Sequence, residues 1–340
     1  MEFFADYGIF LLKVITIALA ITIPLLIIVG SSKSKTTSKG SLVVKNLSKK
    51  YENMGSSIRS SLLNPKELKK YNKEIQKKNK KDQKKPSKDD AVYVLNFNGD
   101  IQASEVSKLK HEINAILLSD TKCKEVVIKV ESGGGSAYAY GLCAAELKRL
   151  VDNKINLTVC IDKVAASGGY LMSCVASKII AAPWAIVGSI GVIAQLPNFH
   201  RLLKKNSIDF EMHTAGEFKR TLTTLGENTE DGRKKFKSEL EDLHLIFRDF
   251  VKEQRPQVDT KVVATGEVWQ GDKAIEVGLI DELGTSDDYL VGLSKKLKLY
   301  EIEYIEKKNL SERFAFSAQL LIEKSILKIY DIVNRDRFIS

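Results

Sequence analysis

The order of apolar and polar positions predicts repeated strand and helix units from residue 91 onward. Between residues 91 and 182, short apolar runs alternate with segments whose apolar residues recur every three or four positions. Short apolar runs are typical of buried strands, and the longer spacing is typical of amphipathic helices. We predict strands at residues 91–97, 125–130, 157–161 and 179–182, with helices at about 104–117 and 136–151. This alternation predicts right-handed crossovers and a mainly parallel sheet.

The last third of the chain predicts further helices. Residues 230–255 have the pattern of a long amphipathic helix, and the segment that starts at Val268 is expected to begin a shorter one. A final helix at about residues 311–334 carries an apolar face. We expect that face to pack against its own domain or a neighbouring subunit.

An apolar segment near the amino terminus predicts a membrane anchor. Residues 8–29 contain Lys13 as their only charge and are long enough to cross a bilayer of about 30 Å. Acidic Glu2 and Asp6 precede the segment, and Ile27-Ile28-Val29-Gly30 is a poor cleavage site, so we expect an uncleaved helix and not a signal peptide. Lysines follow the helix and none precedes Lys13, which favours a cytoplasmic carboxyl side.

The positive charge is concentrated in one segment. The net charge is +10, yet residues 31–90 alone hold 18 Lys and Arg against 6 Asp and Glu. A linker or solvated helix is expected there, with anionic lipid as an alternative partner, and the lack of interleaved aromatic residues argues against nucleic acid. We therefore divide the chain into an anchor (1–30), a basic linker or amino-terminal extension (31–90), an α/β domain (91–300) and a carboxyl-terminal helical extension (301–340).

The four cysteines predict no metal site and no disulfide. They have no CxxC spacing, and each lies in an apolar stretch, so we expect small buried side chains. The glycine-rich turn at residues 133–135 lacks the Gly-Lys-Ser/Thr ending of a phosphate loop. No cofactor is predicted.

Ser167 is the candidate nucleophile. It lies between Ala165-Ala166 and Gly168-Gly169, and such small flanks allow a tight strand-to-helix turn that exposes the hydroxyl. The turn at residues 133–135 follows another predicted strand. Acyl transfer needs N–H donors aimed at an oxyanion, and we assign the Gly134 and Gly168 N–H groups to that role. A simple loop is the alternative for each turn.

Lys219 is the candidate general base, 52 residues after Ser167. A desolvated lysine can lose its proton near neutral pH, and serine-lysine pairs are a known variant of the catalytic triad. Ser189 is expected to hold the amine by accepting a hydrogen bond, although a buried turn serine is the alternative. His213 lies close to Lys219 in the chain and is the weaker candidate for a base.

In their order and spacing these motifs resemble the signal peptide peptidase A family of membrane serine proteases. The resemblance covers nearly the whole chain and rests on short segments: Glu131-Ser132-Gly133-Gly134-Gly135, Ala166-Ser167-Gly168-Gly169-Tyr170, Gly188-Ser189-Ile190-Gly191, Gly216-Glu217-Phe218-Lys219 and Val268-Trp269-Gln270-Gly271. The family often has proline where Gly133 stands.

The resemblance implies a Clp/crotonase-like α/β fold, Ser167 as nucleophile, Lys219 as base and a homo-oligomeric ring or dome. It also implies polypeptide substrates, signal peptides among them, at the bacterial cytoplasmic (inner) membrane. The family is pictured on the outer face of that membrane, whereas the lysines after the anchor favour the inner face, so the side stays open. A crotonase-like acyl-coenzyme A protein and an inactive membrane scaffold are the alternative functions.

Overall fold

The structure is a computed structural model that describes residues 12–13, 15–16, 40–84 and 90–306. The chain divides into a small unit, Met1–Ser41 with Ile305–Ser340, and a large unit, Leu42–Tyr304. The predicted anchor, apart from Leu12, Lys13, Ile15 and Thr16, lies outside the described residues, and so does the predicted helix at 311–334. Within the described ranges, no helix combines the length and apolar character needed to cross a bilayer.

The large unit is built from alternating strands and helices. The strands are β1 (Ser41–Asn46), β2 (Ala91–Gly99), β3 (Cys123–Ser132), β4 (Asn156–Ile161), β5 (Val164–Ala166), β6 (Lys178–Ala181), β7 (Ile186–Gly188), β8 (Val268–Gln270), β9 (Glu282–Leu283) and β10 (Lys298–Ile305). The helices are α1 (Leu47–Leu62), α2 (Pro65–Lys84), α3 (Val106–Leu118), α4 (Ala137–Asp152), α5 (Gly168–Ser173), α6 (His200–Lys205), α7 (Glu230–Gln254), α8 (Thr260–Val263), α9 (Gly271–Glu276) and α10 (Ser286–Ser294).

One mainly parallel sheet organises these elements. Its main path runs β1-β10-β2-β3-β4-β6-β9, and a branch of β5, β7 and β8 leaves it at β3. The registered pairs are parallel except β7 with β8, which is antiparallel. A mixed α/β fold with a mostly parallel sheet was predicted, and the structure confirms it.

The central strands are buried because helices cover them. Val92 and Val94 on β2 and Val127 on β3 have no exposed surface and join one apolar cluster, while Leu95 and Ile128 point into a larger one. Strands buried on both faces read as continuous apolar runs, which explains why these two were visible in the sequence. The core therefore fixes the positions of the loops that follow β2 and β3.

Three predicted features differ from the structure. Residues 301–340 were assigned to a helical extension, but residues 301–305 belong to strand β10, which pairs with β2 in the main sheet. The segment that starts at Val268 was expected to be helical from its first residue, but Val268–Gln270 is a strand paired with β7, and the helix begins at Gly271. Residues 31–90 were assigned to a linker or solvated helix preceding the domain. Residues 41–46 instead form β1 in the main sheet, followed by the mostly exposed helices α1 and α2, so the folded unit begins well before residue 91.

Candidate active site

The two glycine-rich turns meet because their strands are neighbours. Ser132 at the carboxyl end of β3 pairs with Ala165 on β5, and both strands run in the same direction. The turn at residues 133–135 follows β3, and Ser167 follows β5. Since the carboxyl ends of parallel strands lie at one edge of a sheet, where α/β proteins build their sites, the two turns lie side by side.

Ser167 has an unusual backbone conformation. Its φ is 51° and its ψ is −118°, a region that residues other than glycine seldom adopt. The Ser167 N–H donates to the Gly188 carbonyl at 2.7 Å, and its own carbonyl accepts from the N–H groups of Tyr170 and Leu171 at 3.0 and 2.9 Å. A strained strand-to-helix turn of this kind presents a serine hydroxyl in many hydrolases. Ser167 is half-buried.

Gly134 lies directly against the Ser167 turn. Its φ is +87°, and a Cβ added there would come within 2.7 Å of both the Gly168 nitrogen and the Ser167 Cβ. A Cβ added to Gly133 would meet no atom within 4 Å. Glycine is therefore required at residue 134 by its conformation and by this close approach. The structure brings together three of the predicted site residues: Ser167, Gly134 and Gly168.

The amide groups near Ser167 differ in their hydrogen bonding. The Gly168 N–H begins α5 and has no acceptor within the described part of the chain. The Gly134 N–H already donates to Ser132 Oγ at 3.0 Å, which the sequence did not reveal. The Gly135 N–H has no acceptor among the residues that the structure describes. An acceptor at Ser167 would thus find the Gly168 amide free and the Gly134 amide occupied.

Ser132 and Tyr140 are site residues that the sequence did not single out. Ser132 Oγ lies 2.5 Å from Tyr140 Oη, and the Tyr140 hydroxyl donates to the Asp100 carbonyl at 2.7 Å. Both side chains are buried. Burial raises the pKa of the Tyr140 hydroxyl above its ordinary value, so the phenol stays protonated and able to donate. In the sequence, only the position of Ser132 beside the glycine turn could have pointed to this pair.

Ser189 follows β7 on the far side of β5. Its φ is 52°, and its N–H donates to the Glu267 carbonyl at 2.7 Å. The preceding residue, Gly188, has a φ of +91° and supplies the carbonyl that binds the Ser167 N–H. Ser189 is half-buried and is linked to the Ser167 turn through its neighbour Gly188.

Lys219 lies in the exposed segment between α6 and α7. It closes a short turn in which its N–H donates to the Gly216 carbonyl at 3.2 Å, and its side chain is exposed, like the rest of residues 211–220. Among the described residues, no hydrogen bond joins Lys219 Nζ to Ser167 Oγ or Ser189 Oγ. The described residues therefore do not bury the Lys219 side chain.

The cysteines and acidic groups offer no metal centre in the part of the chain that is described. All four cysteines are free thiols there, and three are buried. Burial raises the pKa of the Cys143 thiol to about 12 and so keeps it protonated and unreactive.

Comparison with known protein families shows the family to which the chain belongs. Residues 149–300 match the model of "Peptidase family S49", and residues 2–147 match "Peptidase family S49 N-terminal". The chain belongs to peptidase family S49 and is thus a peptidase. This confirms the family that the motifs predicted and does not favour the acyl-coenzyme A alternative.

Within that family the chain is similar to proteins named SohB. It is 44% identical over 330 residues to "Probable protease SohB" of Haemophilus influenzae, covering 94% of each chain. It is 43% identical over 334 residues to "Probable protease SohB" of Buchnera aphidicola subsp. Acyrthosiphon pisum, covering 98% of this chain and 99% of that protein.

Two solved structures are similar to part of the chain at low identity. A "1510-N membrane-bound stomatin-specific protease", in a serine-to-alanine mutant, covers 60% of this chain and 84% of its own, with 13% identity and a TM-score of 0.40. A lysine-to-alanine mutant of the same protease with a substrate peptide covers 67% and 96%, with 12% identity and a TM-score of 0.41.

Proposed function

We propose that this chain is a membrane-anchored serine endopeptidase that hydrolyses signal peptides or other unfolded, membrane-associated polypeptides. The observation that carries the proposal is the position of Ser167, held at positive φ beside Gly134 and followed by the Gly168 N–H, which has no acceptor in the described part of the chain. A nucleophile and an unoccupied amide at one turn are two parts that acyl transfer needs. Membership of peptidase family S49 supplies the reaction class.

The proposed chemistry uses two side chains. Neutral Lys219 Nζ takes the proton from Ser167 Oγ, and the oxygen attacks the peptide carbonyl carbon to form a C–O bond and an oxyanion. As the oxyanion collapses, the C–N bond breaks, and the Lys219 ammonium returns the proton to the leaving amine. Water, deprotonated by Lys219, then attacks the acyl ester, and the same proton goes back to Ser167. Ser189 Oγ accepts a hydrogen bond from Lys219 and orients the amine.

The oxyanion needs two donors, and Gly168 N–H is the first. We keep the Gly134 N–H as the second, but it must then exchange Ser132 Oγ for the oxyanion. The Gly135 N–H, which has no partner among the described residues, is the alternative from the same turn. Removal of one such donor from a serine protease lowers kcat by about 10²- to 10³-fold.

We further propose that the chain assembles into a homo-oligomer and that a second copy brings Lys219 to Ser167. Residues 191–229 carry Lys219, include only the short helix α6, and expose many large apolar side chains. These are Ile193, Leu196, Phe199, Leu202, Ile208, Phe210, Met212 and Phe218. Exposed apolar side chains concentrated in one segment favour an interaction site, and burial in an interface would lower the pKa of a lysine.

Membrane attachment is proposed on the sequence of residues 8–29, which follow the pattern of a single-pass anchor in the bacterial cytoplasmic membrane. Alkaline carbonate extraction of membranes tests it. The full chain should stay with the lipid pellet, and release into the supernatant would contradict the anchor.

Hydrolysis of unfolded casein by the purified full chain tests the catalytic proposal. Ser167→Ala and Lys219→Ala should each lower the rate by more than about 10³-fold, because the attacking group or its base is lost. Lys163→Ala is the matched control, since Lys163 is an exposed lysine paired with Glu131 at 2.9 Å and should leave the rate unchanged.

Mixing and reassembling the two inactive variants tests whether a second copy of the chain supplies Lys219 to Ser167. Random mixing in equal amounts should restore up to about a quarter of the wild-type rate if a second copy supplies Lys219. No recovery would refute the shared site. Full activity of either single variant would refute the dyad itself, and thioester hydrolysis of acyl-coenzyme A without casein cleavage would favour the alternative function.

A further inference from the structure

A chain of three hydrogen bonds runs from the proposed oxyanion turn into the core. The Gly134 N–H binds Ser132 Oγ at 3.0 Å, Ser132 Oγ binds Tyr140 Oη at 2.5 Å, and Tyr140 Oη binds the Asp100 carbonyl at 2.7 Å. Ser132 is 1% exposed, and Tyr140 is not exposed at all. These hydrogen bonds join the loop after β2, the end of β3 and helix α4.

The direction of each bond follows from the donors present. A carbonyl can only accept, so the single Tyr140 proton goes to Asp100. Ser132 must then donate its proton to Tyr140 Oη, which leaves the lone pairs of Ser132 Oγ to accept from Gly134. Only one arrangement of protons satisfies every polar group in this series of hydrogen bonds, and that arrangement fixes the Gly134 peptide.

The same two residues also lie directly against the Ser167 turn. A Cβ on Gly168 would collide with the Tyr140 ring, and a Cβ on Gly169 would come within 2.6 Å of the Ser132 carbonyl oxygen. A Cβ on Gly99 would collide with both the Tyr140 and the Ser132 hydroxyl groups. Three glycines thus make room for this pair, which touches both halves of the proposed oxyanion site.

We propose that Tyr140, acting through Ser132, is a positioning residue for the oxyanion site. It sets the orientation of the Gly134 peptide and holds that turn at a fixed distance from the Gly168 N–H. The inference rests on the proposed function, because it assigns the pair a role in that reaction. Because the Gly134 N–H stays bound to Ser132 Oγ, the inference takes the alternative donor of this turn, the Gly135 N–H, which has no acceptor among the described residues. Preorganised donors are effective because they need no reorganisation as charge develops.

Tyr140→Phe tests the proposal, because it removes the hydroxyl and keeps the ring that packs on Gly168. We expect kcat for a peptide substrate to fall by about ten- to a hundredfold while KM stays within about twofold, as for an interaction made chiefly in the transition state. Ser132→Ala should have the same effect. The double variant should be no worse than either single one, since the residues act as a unit.

Tyr93→Phe is the matched control. Tyr93 is another largely buried tyrosine whose hydroxyl bonds to Thr121, but it lies near the opposite end of β2 from Gly99. It should leave kcat unchanged. A loss of kcat in Tyr93→Phe equal to that in Tyr140→Phe would mean a general loss of stability and would overturn the positioning role.

Hydrogen exchange at the Gly134 amide gives a second readout that needs no substrate. Exchange of a peptide covering residues 133–136 should speed up in Tyr140→Phe and Ser132→Ala and stay unchanged in Tyr93→Phe. Unchanged exchange, or faster exchange with wild-type kcat, would overturn the proposal. Failure of the proposed function is seen separately, as full activity in Ser167→Ala.

Discussion

At the scale of the residue, the Ser167 backbone is held in a strained conformation by its neighbours. The Gly188 carbonyl binds its N–H, the first turn of α5 binds its carbonyl, and Gly134 presses against its side. A strained backbone conformation of this kind persists only where several independent contacts hold it in place. It indicates a site at which the position of one hydroxyl matters.

Single residues differed in how far the sequence revealed them. The turns that hold Ser167, Gly134 and Gly168 were predicted because small residues follow apolar runs at strand ends, and the catalytic roles of these residues stay predictions. Tyr140 was not found, because its bond to Ser132 depends on how α4 packs onto β3, and no local pattern encodes that contact. The solvent exposure of Lys219 could not be predicted either, since it depends on tertiary structure around residues 191–229.

Glu112 gives a pH dependence outside the site. Its side chain is 4% exposed, one oxygen accepts from the Tyr304 N–H at 2.8 Å, and burial raises its pKa to about 7. Because the pKa of Glu112 is higher in the folded than in the unfolded protein, folding takes up a proton between about pH 4.5 and 7. The free energy of unfolding should therefore fall as pH rises from about 4.5 to about 7.

Glu112→Gln should remove that dependence, because the amide keeps an acceptor for Tyr304 without a charge. At pH 5 the variant and the wild type should differ little. At pH 8 the variant should be the more stable by on the order of 3 kcal/mol, at about 1.36 kcal/mol per pKa unit. Urea denaturation at the two pH values measures this, and an equal difference at both would contradict it.

At the scale of the element, a clear apolar period decided what the sequence could predict. The long strands β2, β3 and β4 and helices α3, α4 and α7 were predicted within a few residues, because each extends over enough positions to show a period. Strands β5, β7, β8 and β9 have two or three residues and show none. Their pairing is set by the sheet, which is why Val268–Gln270 was taken for the start of a helix.

An ion pair between the buried Arg255 and the partly exposed Asp281 joins the end of α7 to the sheet. Arg255, 3% exposed, donates to the two Asp281 carboxylate oxygens at 2.8 and 2.7 Å, and that carboxylate also accepts from the Ile179 N–H on β6 at 2.7 Å. Removal of one partner leaves the other charge uncompensated. The bond thus couples α7 to the strand beside β4.

Arg255→Met should lower the free energy of unfolding by about 1–3 kcal/mol, because the Asp281 carboxylate loses two charge-assisted hydrogen bonds but keeps access to water. Lys237→Met is the control, since Lys237 pairs with Glu241 on the exposed face of α7 at 3.8 Å and should change stability by less than about 0.5 kcal/mol. Urea denaturation compares the two. Equal losses would show that the Arg255 pair is no stronger than a surface pair.

At the scale of the whole molecule, a parallel sheet and a charged amino-terminal region were predictable, but their connection was not. The basic composition of residues 31–90 concealed β1, an exposed edge strand whose six residues lie among lysines. Composition reports the average of a segment, whereas sheet membership depends on a few residues and an available edge. The self-association proposed above belongs to this scale too, since it concerns surfaces that one chain leaves exposed.

Covalent labelling of the full chain with a fluorophosphonate, followed by mass spectrometry of its peptides, is the most direct test of Ser167 as the nucleophile. The reagent forms a stable adduct with a serine whose hydroxyl is activated by a base. The adduct should map to Ser167 in the wild type and should be absent from Lys219→Ala. An adduct on another serine, or equal labelling of Ser167 without Lys219, would contradict the proposed mechanism.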